Sequence, residues 1–503
     1  MNYLKEKQAP KREDRLNTCI TYGGTLCGIA ERAGCGCLDD GRRGFSQGSI
    51  CLLLPGLAMI ANIPDNLILL HGAVGCGVCL LSQNANSRSG GQARFGRTKD
   101  AMWVSTALNE ADVINGGEPK LREAILEADK LYRPRTITVV TVCVPGIIGD
   151  DADNVISELR ADVAAELISV HCEGFKTKIW ATAYDAVYHG LAARLLNDPL
   201  APQALLEDEL EDAKFRLEKS RTVNLLNVSS MGRVDELELT RLLNALDLNV
   251  NIFPVFSDSE RMYKVKYAAL SISVCPTHDD YFAKYLKDEF GIPYILRHMP
   301  IGMDNTDAWI REVAAFFGEE AIADRIIERE RARLEAALAP YRAFFKGKKA
   351  FISAGEFRAL ATGALLHELG FEIIAIRAFH HDEFAIPEYE KLKSILGDFV
   401  FNVANVQPFE EANLLRRLKP DLHLGHWNDN STAAKLGIPS HVIYNTGLSY
   451  IGYKGAFEMA RRLYRQLKNP AFNRNLSRYA RLPYRGSWYG ESPFKYIKED
   501  ARV

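Results

Sequence analysis

The sequence predicts an α/β protein built from several doubly wound parallel sheets, on three observations. A β-branched run, a turn of Gly, Asp or Ser and an amphipathic helical stretch recur along the chain; this alternation builds βαβ units and parallel sheets. The chain has 503 residues, too many for a single core when domains run to roughly 100–200 residues. Two charged connectors, 196–222 and 323–349, fall between the repeats. Ligand chemistry is then expected at the carboxyl ends of strands.

Taken in order, the opening MNYLKEKQAPKREDR is charged and lacks the apolar stretch of a secretory signal, so a cytoplasmic protein is expected. Residues 51–70 are the most apolar, but Pro55, Pro64, Asp65 and two asparagines interrupt them. They read as buried helix, turn and strand rather than a membrane span. TITVVTV (136–142) reads as a strand, followed by the turn CVPGIIGDD and the helix ADNVISELRADVAAEL. TVNLLNVSS (222–230) is a second strand, leading through Met231-Gly232-Arg233 into a helix. GKKAFIS (347–353) is a third, with a helix that ends at Leu369-Gly370 before the strand FEIIAI. The expected domains are therefore 1–220, with a cysteine-rich extension and the first α/β unit, 221–347, and 348–503. The tail from 469, rich in Arg, Tyr, Pro and Asn, reads as an irregular extension able to wrap a partner.

Composition narrows the function. With 62 basic against 64 acidic side chains and a net charge of −2, no electrostatic case exists for a nucleic-acid or membrane-surface partner. No G-x-x-x-x-G-K-[ST] stretch is present, so no ATP site of the P-loop type is expected on this chain. The uneven feature is ten cysteines, five of them before residue 55. In a reducing compartment these are buried hydrophobes, metal ligands or redox groups rather than structural disulfides.

Cys76 lies in HGAVGCGVC, where flanking glycines let a bulky inorganic group approach the backbone. Cys143 closes a strand and is followed by Pro145 and Gly146. With Cys51 these make three thiolates from three separate loops, a plausible iron–sulfur half-site, although each taken alone reads first as a buried cysteine. Cys19, Cys27, Cys35 and Cys37 have spacings that match no paired zinc pattern. Cys35 and Cys37 stand as an alternative to Cys51, and Cys79 and Cys172 read as packing residues.

LLHGAVGCG, NEADVINGGEPKLREAI (109–125), CVPGIIGDDADNV, HCEGF (171–175), SISVCPTHDDYFAKYLKDEFGIPYI (271–295), RLKPDLHLGHWNDNSTAAKLGIP (417–439) and YIGYKG (450–455) occur in that order. In them the chain resembles the α-type subunit of nitrogenase component 1 and its relatives, over roughly residues 45–465. The resemblance implies three Rossmann-like domains surrounding a metal-cluster cavity. It implies an α2β2 heterotetramer with a β-type (K-like) subunit, served by a homodimeric ATP-dependent iron protein carrying a four-iron cluster. Cys51, Cys76 and Cys143 then match the ligands to this subunit's share of the P-cluster, an eight-iron relay shared with the β-type subunit. Cys275 matches the thiolate that holds one terminal iron of a large, here iron-only, active-site cluster, a role suited to a soft anionic donor.

Departures accompany the matches. Where nitrogenase proper places a cluster-ligating histidine before its Gly-Tyr-x-Gly turn, this chain has Ile451, and Trp180 and Tyr184 replace polar residues near the substrate face. His278, His380, His381 and His426 are candidate substitutes or proton donors, with His426 beside Trp427 preferred. Arg358 matches a residue that balances cofactor charge. Within the superfamily these features most resemble the D-type subunit of methylthio-alkane reductase, which implies reductive C–S cleavage of small thioethers to methanethiol and hydrocarbon. Two further readings stay open: an E-type cofactor-assembly scaffold, which also keeps the cysteine and lacks the histidine, and a tetrapyrrole reductase, against which Cys275 argues.

Overall fold

The structure, a computed structural model, describes residues 6–38, 42–48, 51–96, 98, 100–193, 213–257, 262–444 and 447–498. Two short strands come first, β1 (Thr21–Thr25) and β2 (Arg42–Arg43). A parallel sheet follows from β3 (Asn66–His71), β4 (Met102–Ser105), β5 (Thr136–Thr141) and β6 (Glu166–His171), in the order β4-β3-β5-β6. Every residue of β3 and β5 is buried, as expected of a parallel sheet covered on both faces, and this explains their continuous apolar runs. Leu67, Leu69, Ile137 and Val139 pack with Leu121 and Ile125 of helix Glu118–Tyr132 and with Val155 and Ile156 of helix Ala152–Leu159.

A second parallel sheet comprises β7 (Thr222–Asn227), β8 (Asn249–Pro254), β9 (Leu270–Ser273) and β10 (Tyr294–Ile295), ordered β10-β9-β7-β8. The third is built from β11 (Lys349–Ala354), β12 (Glu372–Ala378), β13 (Val400–Ala404), β14 (Leu422–Gly425) and β15 (Ser440–Val442). Its order is β1-β13-β12-β11-β14-β15, parallel throughout except at β1. Last, β16 (Ile497–Lys498) pairs antiparallel with β2. The stretch at 51–70 forms helix Leu53–Ile60, a turn and β3. No described helix is long and apolar enough to cross a membrane.

The chain divides into two compact units that do not follow the three expected intervals. The first holds residues 1–12, 51–233 and 247–296, with the first two sheets; the second holds 13–50, 234–246 and 297–503, with the third. Residues 13–50 thus leave the expected 1–220 domain. The physical reason is β1, which gives β13 an antiparallel edge partner through five residue pairs from Thr21↔Ala404 to Thr25↔Val400. Most of the connector at 196–222 lies outside the described residues. The tail packs on its own chain: the Trp488 ring N–H donates to the Phe409 carbonyl at 2.9 Å, and Phe45, Phe409, Trp488 and Tyr496 form an aromatic cluster.

Candidate metal centres

In the first unit, three strand ends and loops bring cysteines together. Cys51 precedes helix Leu53–Ile60, Cys76 sits in the 3-10 turn Val74–Gly77 after β3, and Cys143 opens helix Cys143–Ile148 directly after β5. Gly72 begins the Cys76 loop, and any Cβ there would overlap the Val142 side chain. The backbone of Gly174 supplies the common floor. Its N–H donates to Cys143 Sγ at 3.2 Å, and a Cβ at this position would lie 3.2 Å from Cys51 Sγ and 3.6 Å from Cys143 Sγ. Burial pushes the Cys76 thiol up, and the charges of Cys143 and Cys51 push it further. Cys79 behaves alike, raised by burial and then by Cys51 and Cys76.

This donor set fits an iron–sulfur cluster. Cys76 and Cys79, raised by burial and neighbouring thiolates, hold their protons, whereas bound iron deprotonates such thiols and relieves their repulsion. Among the described residues no three His, Cys, Asp or Glu side chains converge on one metal ion. Around it Val74, Val78, Leu81, Ile147 and Phe175 are all more than half exposed, an apolar rim of the kind that marks protein–protein contact. Cys172 packs under Gly56 instead, fully buried with its thiol pushed up by desolvation. Behind the floor, His171 bonds Asp153 at 3.0 Å and Glu173 at 3.3 Å, and Glu173 accepts from Lys176 at 2.7 Å.

Cys275 lies between β9 and helix Pro276–Phe290 and is 4% exposed. Its turn is locked by polar bonds: the Cys275 N–H donates to Ser273 Oγ at 2.9 Å, and the Ser273 hydroxyl donates to Asp279 at 2.5 Å. Burial raises Asp279 to about 7 against the bonds from Ser273 and Tyr188. His278 is one helical turn along, its ring 4.8 Å from Tyr184, which stands 6.0 Å from Trp180. The structure therefore brings Cys275, His278, Tyr184 and Trp180 into one neighbourhood, with Tyr184 on helix Thr182–Leu191. Deeper still, Arg12 bonds Asp185 at 2.7 Å and Asp280 at 3.1 Å, all three fully buried.

In the second unit, Arg358 and His426 form another group at the carboxyl ends of β11 and β14. The Arg358 guanidinium lies 4.6 Å from the Tyr444 ring centre and 5.6 Å from that of Tyr450. His426 is lowered to about 4 by burial and then by the Arg358 charge. At neutral pH it is thus an uncharged imidazole, a lone-pair donor rather than an acid. Phe379 packs edge-on against it at 5.9 Å. Trp427 begins helix Trp427–Lys435, but its side chain lies outside the described residues. Ile451 is fully buried, and Asp235 accepts from the N–H groups of Tyr450 and Ile451 at 3.0 and 3.2 Å.

The other candidates have structural work. His381 bonds Tyr389 at 2.8 Å and Glu356 at 3.0 Å and shares a backbone bridge with Cys19. His380 is buried 3.9 Å from Asp382. The Cys27 N–H donates to Asp398 at 2.9 Å, and Cys35 is disulfide-bonded to Cys37; Cys51 Sγ and Cys143 Sγ both lie close to Gly174. Sequence reasoning took Cys79 for a packing residue and missed Gly174, Ser273, Asp279, Asp235, Tyr444 and Tyr450. One signal was present: Cys79 follows Cys76 by one helical turn, which puts both on one face.

Comparison with known proteins adds a family. The family described as nitrogenase component 1 type oxidoreductase matches residues 51–468. The nitrogenase iron-molybdenum cofactor biosynthesis protein NifE of Rippkaea orientalis is 27% identical over 442 residues, covering 86% of this chain and 88% of its own. The nitrogenase molybdenum-iron protein alpha chain of Methanococcus maripaludis is 25% identical over 498 residues, covering 93% of both. The solved structure titled "Nitrogenase Cp1 at pH 5" shares the fold, with a TM-score of 0.70 at 20% identity over 88% of this chain and 92% of that one.

Proposed function

The chain belongs to the nitrogenase component 1 type oxidoreductase family, and from that premise we propose that it acts as an α-type cofactor-assembly scaffold, carrying an iron–sulfur cluster as cargo on Cys275. The observation that carries this reading is Ile451. In the turn where the resemblance expects a second protein ligand, the side chain is apolar and buried and the backbone is tied to Asp235. A cargo cluster held by one thiolate leaves by exchange of one bond, which suits transfer better than turnover. The cofactor-biosynthesis relatives support the same choice.

Cys51, Cys76 and Cys143 would hold the resident P-cluster half-site, with Cys79 at its edge. That group supplies one-electron relay when bound. The chain's own part is to hold three loops at fixed spacing, to donate the Gly174 N–H to Cys143 and to offer the apolar rim to a β-type partner. An ATP-dependent iron protein is the expected electron source. Ser273 and Asp279 set the Cys275 backbone, and the resemblance assigns Arg358 the role of a charge-balancing cation.

A second reading, C–S cleavage of small thioethers, is favoured by one observation: Trp180, Tyr184 and His278 form an aromatic array beside Cys275 suited to an apolar substrate. The test is anaerobic purification with the β-type partner, metal analysis, transfer to cluster-free nitrogenase, and assays with thioether, dinitrogen and acetylene. Transfer without turnover is expected. Thioether turnover without transfer overturns the scaffold in favour of the reductase. Cys275→Ala should abolish the transferable cluster and its EPR signal while iron at the half-site remains; unchanged transfer would refute the role of Cys275.

A further inference from the structure

A cleft of about 920 Å³ in the second unit lies at the edge of the third sheet opposite Arg358 and His426. Lys348, Asp421 and Pro439 line it, and they directly precede β11, β14 and β15, so it opens at the amino ends of those strands. Its far wall is the tail, through helix Ala471–Tyr479 and the segment that follows. The family match ends at 468, ahead of this wall.

Charge singles the cleft out. Lys348, Arg416, Lys419, Lys435, Arg474 and Arg481 line it, against Asp421 alone, in a chain with a net charge of −2. Among the described residues none of the six is in an ion pair. Asp421 is engaged elsewhere, accepting the Lys349 N–H at 2.8 Å. Arg416, Lys419 and Lys435 close helices, where cations oppose the helix dipole. That account fails for Lys348 and Arg481, and for Arg474, which sits in the first turn of its helix where a cation is unfavourable. Arg416 is held by the tail, its guanidinium 4.3 Å from the centre of the Tyr489 ring. Self-repelling cations gathered around a concave volume of ligand size are arranged for a multiply charged anion.

We propose that this cleft binds a small polyphosphate-bearing anion, with the phosphates held between Arg474 and Arg481 of the tail and Lys419 and Lys435 of the sheet edge. The assignment is independent of the scaffold reading. The probes are pyrophosphate, ATP and a poly-glutamate peptide, titrated by calorimetry into the full chain at two salt concentrations. Pyrophosphate and ATP should both bind, more weakly at high salt; ATP binding much tighter than pyrophosphate identifies a nucleotide, and equal binding a phosphate chain alone. Arg474→Glu with Arg481→Glu should weaken both by about tenfold or more, with iron content and thermal unfolding unchanged. Lys419→Glu with Lys435→Glu, on the opposite wall, must do the same if the tail variant misfolds. No binding of either phosphate probe, or unaltered binding by both double variants, overturns the site. Peptide binding as tight as pyrophosphate overturns it in favour of an acidic protein segment.

Discussion

At Gly174 a hydrogen atom stands where any other residue would place carbon 3.2 Å from Cys51 Sγ. Gly174→Ala should therefore lower iron bound at the half-site without unfolding the chain. Iron per chain and thermal unfolding measured together check this, and full iron content would refute it. The neighbouring His171 shapes stability instead. Burial alone would lower its pKa, but the bonds to Asp153 and Glu173 prevail and hold it at about 9. A pKa raised above the unfolded value of about 6.5 contributes stability that is complete below that pH and is lost as pH rises through about 9, up to ~3 kcal/mol. His171→Gln should lower Tm at about pH 6 and leave it nearly unchanged at about pH 10; an equal loss at both would point to packing instead. The cysteines were legible because glycine and strand ends flank them. Ser273 and Asp279 were not, since a serine and an aspartate mark no chemistry until the turn brings both to the Cys275 backbone.

Strands buried on both faces were readable from their β-branched runs, as TITVVT and TVNLLN illustrate. β1 was not, because TYGGT has neither apolar alternation nor β-branched density. Its place is set by distant groups: it pairs with β13, and a Cβ at Gly23 would overlap the Phe494 ring of the tail. Gly23→Val should thus displace Phe494, cost about 1–3 kcal/mol as overpacking does, and speed protease cleavage within 480–498. Limited proteolysis beside a thermal melt tests the element; an unchanged cleavage pattern would show that Phe494 does not anchor the tail.

Across the whole molecule, charged connectors were misleading guides to division, because the chain passes back and forth between its two compact units. Residue 12 ends the first segment of unit one, and Arg12 balances two buried carboxylates there. Arg12→Met should remove the guanidinium from Asp185 and leave Asp280 its longer contact to Lys284 at 3.4 Å, and destabilise by about 3–5 kcal/mol, the usual cost of breaking a buried pair. Urea unfolding measures it; a loss below about 1 kcal/mol would mean that water reaches the carboxylates. The pairing of β1 with β13 also bears on how the protein is made. As the chain leaves the ribosome, Thr21–Thr25 emerges long before its partner Val400–Ala404. The glycine-rich edge stays unpaired until β13 has followed it, and the third sheet cannot be completed before then. Chaperone protection of nascent chains is thus a demand written into the topology.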